Sequence, residues 1–266
     1  MKTKYLFFLT ITSLLLSCAN LNNSATTNQK SNRSTGSCRE DLNAVVWQQT
    51  AGEYKALCYQ AFNSGKYHLE ILKDNKEFTG IPTIVMDLDE TVLDNSPYNA
   101  QLIIKDKNYT TGSWNAWVEK KEAKAVPGAI EFIKHATDLD FSIIFISNRD
   151  QETLDWTMEN LNRFGFDFNE KNFYLKQGDS EKSERRKAVN KSYEVIMYVG
   201  DNLADFNNEL DSRDLSINDR NEIVSNISNK FGSRFVILPN AMYGNWQKAI
   251  DSDFPKGNYK NALQGY

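Results

Sequence analysis

Residues 84–91 read Ile-Val-Met-Asp-Leu-Asp-Glu-Thr: an apolar run short enough for one buried strand, followed at once by two aspartates and a threonine. Acids paired like Asp87 and Asp89 can hold a metal, attack a phosphorus, or do both. Open α/β sheets bind ligands just outside the carboxyl ends of their strands, so this is where chemistry would be done. The rest of the chain must supply such a sheet.

After Pro82, apolar runs recur at 83–86, 141–146, 173–175, 195–199 and 235–238, and these predict five strands. Helix-like stretches lie between them. Residues 127–139 open with Pro127, 151–164 end before Gly165, and 180–192 begin at Ser180 with Glu and Lys in the first turns. Strand alternating with helix predicts an α/β fold with a Rossmann-like parallel sheet and right-handed crossovers. Ahead of it, Val45, Val46, Ala56, Leu57, Ala61, Phe62 and Leu69 fall at helical spacing, interrupted by Gly52 and Gly65, and predict a helical preamble. Residues 92–126 carry Trp114 and Trp117 and are too long for a simple connection. They predict an insertion over the end of the first strand.

With 266 residues, 40% hydrophobic and 25% charged, the chain can bury a sizeable core, and 31 basic against 35 acidic residues give a formal charge of -4. That balance argues against nucleic acid as a partner. At the N-terminus, Lys2 and Lys4 precede the apolar run 5–16, which is too short for a membrane span and predicts an export signal. The following Leu15-Leu16-Ser17-Cys18 resembles a bacterial lipoprotein box. That resemblance makes 1–18 a lipoprotein signal, Cys18 the lipidated residue that holds the chain to the membrane, and, with Ala19 after it, the outer membrane the destination where a cell has two. Residues 19–40, mostly Asn, Ser and Thr, predict a flexible polar tether. Cys38 and Cys58 form neither a CxxC pair nor a metal knuckle and read as structural or unpaired.

Four fragments fall at comparable places in the strand–helix alternation: Asp87-Leu88-Asp89-Glu90-Thr91, Ser147-Asn148-Arg149, Lys182, and Gly200-Asp201-Asn202-Leu203-Ala204-Asp205. Each lies at a strand's carboxyl end or a helix start, so all four converge on one crevice. This order resembles the haloacid dehalogenase superfamily of phosphotransferases. The longer strings 87–98 and 200–206 resemble, within it, the class C acid phosphatases, the lipoprotein e family of bacterial surface nucleotidases. The resemblance covers nearly everything from about residue 41 onward. It implies one haloacid dehalogenase-like domain over 41–266, in which 41–80, 92–126 and 240–266 build a smaller helical part, and it implies a homodimer.

The resemblance also assigns roles that the residue types can fill. Asp87 would be the nucleophile, forming an aspartyl-phosphate, and Asp89 the general acid and then base, which implies an acidic optimum. Mg²⁺ would be held by the carboxylates of Asp87 and Asp201 and the backbone carbonyl of Asp89, with Asp205 in support behind it. Ser147 and Asn148 would bind the phosphoryl oxygens with Lys182, and Thr91 would buttress the phosphate loop. Trp114 and Tyr243 match the positions that stack a nucleoside base, which implies broad specificity for 5′-nucleotides, nicotinamide mononucleotide included.

Several residues have plainer readings. Glu90 and Asp94 suit loop carboxylates or caps, Arg149 suits a structural partner for a nearby acid, and Lys176 competes with Lys182 because it ends the third strand. His68 and His135 are the only histidines, and no Arg-His-Gly, CxxxxxR or GxxxxGK[ST] motif is present, which weakens other phosphate chemistries. Two rival functions remain: another reaction of the same superfamily, phosphotransfer or dehalogenation, and a surface lipoprotein that binds a ligand without turnover. A dehalogenase has no need of Asp89 as an acid, and a pure binder has no use for a nucleophile beside one.

Overall fold

The computed structural model describes residues 41–76, 78–212, 214–254 and 259–265. Cys18, Cys38 and the expected signal and tether lie outside the described residues. Five strands form a parallel sheet: β1 (Pro82–Met86), β4 (Ser142–Asp150), β5 (Phe173–Lys176), β6 (Glu194–Gly200) and β7 (Phe235–Ile237), in the order β5-β4-β1-β6-β7. All five expected strands are present. The chain first builds outward from β1 through β4 to β5 and then crosses to β6 on the other side, so the order reverses beside β1. Such a switch point opens a crevice at the carboxyl ends of the strands.

The sheet is covered on both faces, as parallel sheets require. Along β1, Ile84 and Met86 enter a core with Phe62, Leu69, Phe132 and Met197, while Val85 points to the other face with Ile144, Val189, Tyr198 and Phe235. The first face carries α2 (Gly52–Asn75), α5 (Ala129–Asp138) and α6 (Leu154–Asn162), and α7 (Ser183–Ser192) packs on the second. Part of the expected helical preamble, α2, thus shares the core of the sheet.

Gly52 does break the preamble: α1 (Leu42–Thr50) ends, Ala51 is extended, and α2 starts. Gly65 does not break it. It sits inside α2 where the helix presses closest to its neighbours, and a Cβ there would lie 2.9 Å from the Phe132 ring and 3.1 Å from Val236. Its role is close packing, although glycine costs a helix about 1 kcal/mol relative to alanine. Cys58, also on α2, is a free thiol in the core, and burial pushes it up to about 11.

The insertion after β1 folds as β2 (Leu93–Asp94), α3 (Ser96–Ile104), α4 (Thr111–Lys120) and β3 (Lys124–Ala125), with β2 and β3 antiparallel. Asp94 accepts from the Ser96 amide at the start of α3 at 2.9 Å, and also accepts from Gln48 of α1. Three further helices, α8 (Asn208–Asp211), α9 (Ile217–Asn226) and α10 (Asn245–Asp253), complete the chain around β7. Among the described residues no helix is long and apolar enough to cross a membrane.

Gly65→Ala weighs about 1 kcal/mol of gained helix propensity against about 1–3 kcal/mol of overpacking on the Phe132 ring. The expected outcome in urea unfolding is a net loss of up to about 2 kcal/mol. A stabilised variant would mean that α2 can lift off the sheet without penalty.

Candidate active site

Asp87 directly follows β1, and its amide donates to the Val199 carbonyl of β6, so the residue sits at the switch point. The turn after it is tight. The Leu88 carbonyl accepts from the amides of Thr91, Val92 and Leu93, and Glu90 takes a left-handed φ of 58°. Glu90 is fully buried, with its Oε1 accepting from the Asn95 amide at 2.8 Å. Its carboxyl stands well above the usual range, chiefly from burial and then from Asp89 and Asp201 nearby.

Lys182 lies just before α7 and is only 5% exposed. Its Nζ donates to Asp87 Oδ1 at 2.6 Å and to Asp205 Oδ1 at 2.5 Å. Burial opposes its charge, but Asp205 and Asp87 overcome that and hold the ammonium above its ordinary range. The competing lysine, Lys176, pairs instead with Asp150, its register partner on β4, at 2.7 Å. The Lys182 backbone is fixed too: its amide donates to Asp211 Oδ2 at 2.6 Å, and Arg186 holds the same oxygen at 2.7 Å.

Asp201 and Asp205 follow β6. Asp201 accepts from the Thr91 hydroxyl at 3.2 Å and from Asn240 Nδ2 at 2.8 Å, and Asp205 Oδ2 accepts from the Asn202 amide at 2.9 Å. Thr91 is enclosed, so its hydroxyl serves Asp201 rather than the crevice. Gly200 is required here by close approach, because any Cβ would overlap the Asp205 side chain.

Asp87, Asp201 and Asp205 bring one carboxylate oxygen each to within 4.8 Å of one another. Fully ionised, three carboxylates against Lys182 leave two negative charges in a buried place. Burial pushes Asp87 from its usual 3.8 up to about 7, with Lys182 pulling it down and Asp205 and Asp89 pushing it further up. Asp201 is pushed well above the carboxylate range by burial, then by Asp205 and Asp87. An oxygen-only donor set with two charges to spare fits a hard divalent cation.

Asp89 points into a different network. Arg149, 1% exposed, donates from Nε to Asp89 Oδ1 at 2.9 Å, and its Nη2 lies equally close without hydrogen-bond alignment. Asn95 Nδ2 donates to the same oxygen at 2.9 Å, while Asn95 Oδ1 accepts from the Trp117 indole at 2.8 Å. Ser147 Oγ lies 3.4 Å from Asp89 Oδ2. Ser147, Asn148 and Arg149 lie within β4 rather than after it, and they alternate buried, exposed and buried. Arg185 ties this strand to α7, donating to the Ser147 carbonyl and to Asn148 Oδ1, the latter at 2.6 Å.

The crevice above these groups encloses about 640 Å³. Asp87, Asp89, Asn148, Lys182, Asp201 and Asp205 line its floor, and Trp114 and Tyr243 stand among its walls with Tyr98 and Tyr109. Tyr98 meets the Trp114 ring edge-on at 5.1 Å, and the Arg149 guanidinium lies 5.9 Å from the same ring. Asn95, Arg185, Asn240, Tyr98 and Tyr109 are contributors that motif spacing did not single out. Asn95 and Tyr98 lie inside the string 87–98, Arg185 inside 180–185 and Asn240 inside 238–244, so their neighbours carried the signal; Tyr109 lies in no such string.

A parallel sheet that presents an aspartate at its switch point, a buried lysine on that aspartate and a cation-fitted carboxylate cluster defines a protein of the haloacid dehalogenase class. The chain belongs to the HAD superfamily, subfamily IIIB (Acid phosphatase), which it matches over residues 3–246. A crystal structure of the class C acid phosphatase from Bacillus anthracis with tungstate bound is similar at 37% identity and a TM-score of 0.78, covering 86% of this chain and 98% of that one. The stem 28 kDa glycoprotein of Glycine max is 27% identical over 131 residues, 46% of this chain and 52% of its own length. Acid phosphatase 1 of Solanum lycopersicum is 27% identical over 128 residues, 46% of this chain and 50% of its own. The chain thus spans about half the length of the curated relatives it matches.

In metal-free protein, Asp87 keeps a proton in the folded state that the unfolded chain releases above 3.8. Stability is therefore expected to fall as pH rises from about 4 to about 7, since the folded state binds more protons there. Thermal melts in EDTA should show this slope, and Asp87→Asn should make it shallower while the raised Asp201 and Glu90 keep part of it. A slope unchanged by the substitution would remove the raised Asp87 from the account.

Proposed function

We propose that this chain is a divalent-metal-dependent acid phosphatase that hydrolyses phosphate monoesters, 5′-nucleotides and nicotinamide mononucleotide among them. The observation that carries the reading is Lys182 bridging Asp87 and Asp205 on the crevice floor, with Asp89 held apart by Arg149. Oxyanion binding in the Bacillus anthracis relative supports it, because tungstate has the tetrahedral oxygen arrangement of phosphate.

Lys182 occupies Asp87 Oδ1, so the attack is assigned to Oδ2. The Asp87 oxygen bonds to phosphorus as the ester P–O bond breaks, and Asp89 gives its proton to the departing alkoxide. Asp89 is then ionised beside Arg149, which stabilises the carboxylate as it forms. Water next attacks phosphorus and passes its proton to Asp89, releasing phosphate and restoring Asp87. Lys182 offers fixed positive charge to the phosphoryl oxygens, and Asn148 offers its amide. Asp87 and Asp201 of the carboxylate cluster, with the Asp89 backbone carbonyl and with Asp205 in support behind them, would hold Mg²⁺, which when bound offsets the repulsion between carboxylate and phosphate.

Trp114 and Tyr243 wall the same crevice and suit a flat base or pyridine ring. For location, the sequence supports a bacterial envelope lipoprotein anchored through Cys18, in the outer membrane of a cell that has one, and family resemblance supports a homodimer.

Phosphate release from a 5′-nucleotide at about pH 5 tests the reading. EDTA should abolish turnover and Mg²⁺ restore it, and Asp87→Asn should lower kcat by about 10⁴-fold or more. Undiminished turnover in Asp87→Asn would end the proposed mechanism. Tyr243→Ala should raise KM for nucleotides roughly tenfold while sparing small phosphate esters, since one stacked base is worth about 1–3 kcal/mol. Equal loss for both substrate types would sink stacking.

A further inference from the structure

A second cavity, of about 660 Å³, lies behind the Asp201 loop, between α2, α9 and β7. It shares Asp201 and Asn202 with the catalytic crevice. Its unusual feature is Arg220, in the first turns of α9, which lines the cavity and is only 6% exposed.

Among the described residues the Arg220 guanidinium has no hydrogen-bond or ion-pair partner. Two acids at the start of α9 are engaged elsewhere. Asp219 accepts from the amide and hydroxyl of Ser216 in the α9 capping box, and Asp253 accepts from the Ile217 amide. Burial alone pulls the guanidinium below its ordinary range, with no carboxylate opposing it. Among the described residues the other two buried arginines are bonded, Arg149 to Asp89 and Arg186 to Asp211, whereas the Arg220 guanidinium faces the cavity. An arginine that faces a cavity lacks only the ligand.

We propose that this cavity binds a small monocarboxylate with an apolar body, its carboxylate on Arg220. The charge count selects the anion. One guanidinium balances one negative charge and leaves the second charge of a phosphate dianion uncompensated. A planar carboxylate also matches the paired N–H groups of a guanidinium. Gln60, Ser64 and Asn221 offer further polar contacts, and Leu57, Val236 and Trp246 form an apolar wall for the body of the ligand. An occupant would lie against Asn240 and Asn202, which hold Asp201 and Asp205 from behind, so it would adjoin the catalytic carboxylates without entering their crevice.

Calorimetric titration of the whole protein with benzoate, benzamide and orthophosphate tests this. Benzoate should bind at one saturable site, and neutral benzamide should not. Arg220→Met should keep or raise Tm without ligand, because it removes an unpaired buried charge, and should weaken benzoate about tenfold or more. Leu57→Trp, at an exposed rim position, should block benzoate while leaving the fold intact. Absence of saturable benzoate binding, or affinity unchanged in Arg220→Met, would overturn the site. Orthophosphate binding more tightly than benzoate in an Arg220-dependent way would overturn the choice of anion.

Discussion

The site depends on one buried cation held between two acids. Lys182 reaches the crevice floor from the third strand–helix crossover and bonds Asp87 from the first strand and Asp205 from the fourth. A lysine so enclosed is tolerated only when paired, and its partners are likewise tolerable only beside it. Three remote parts of the chain are therefore fixed to one another by a single side chain. The surrounding bonds make the lysine's own position unambiguous: Asp211 takes its amide, Arg186 grips Asp211, and Gly200 leaves room for the Asp205 carboxylate. Even so the cluster is short of positive charge, a shortage that suits a bound divalent ion.

The second acid is isolated from that cluster by its partners. Asp87 and Asp89 are two residues apart, yet one is held by a lysine in a carboxylate-rich pocket and the other by an arginine and an asparagine. The turn between them, with Glu90 in a left-handed conformation, sends the two side chains to different networks. In the proposed mechanism, different environments around two chemically identical groups would let one attack and the other carry a proton.

Much of this was legible in the sequence, for identifiable reasons. The strands were visible because buried parallel strands are continuous apolar runs, and the motif residues were visible because they follow those runs. The two-residue strands β2 and β3 were too short to show any alternation. Gly65 reads as a helix interruption in sequence and is a packing contact in the structure, since tertiary context outweighs propensity. The Ser147-Asn148-Arg149 fragment reads as following its strand because the apolar run ends at Ile146, but site partners satisfy its polar groups and let the strand continue. The string 180–185 favours Lys182 over Lys176 through its family resemblance, and three-dimensional register accounts for Lys176 by setting it beside Asp150. The roles of Asn240 and Arg185 were out of reach because their partners are 39 and 37–38 residues away along the chain.

The Trp117 indole, by fixing the amide of Asn95, reaches Asp89 from within the same insertion that raises Trp114 over the crevice. On the proposed reading, ring recognition and proton transfer are thus built from one stretch of chain. Exchanging that stretch to redirect such an enzyme toward other molecules would disturb its chemistry at the same time. In this architecture, selectivity is not a detachable module, and drift in one property must be matched by drift in the other.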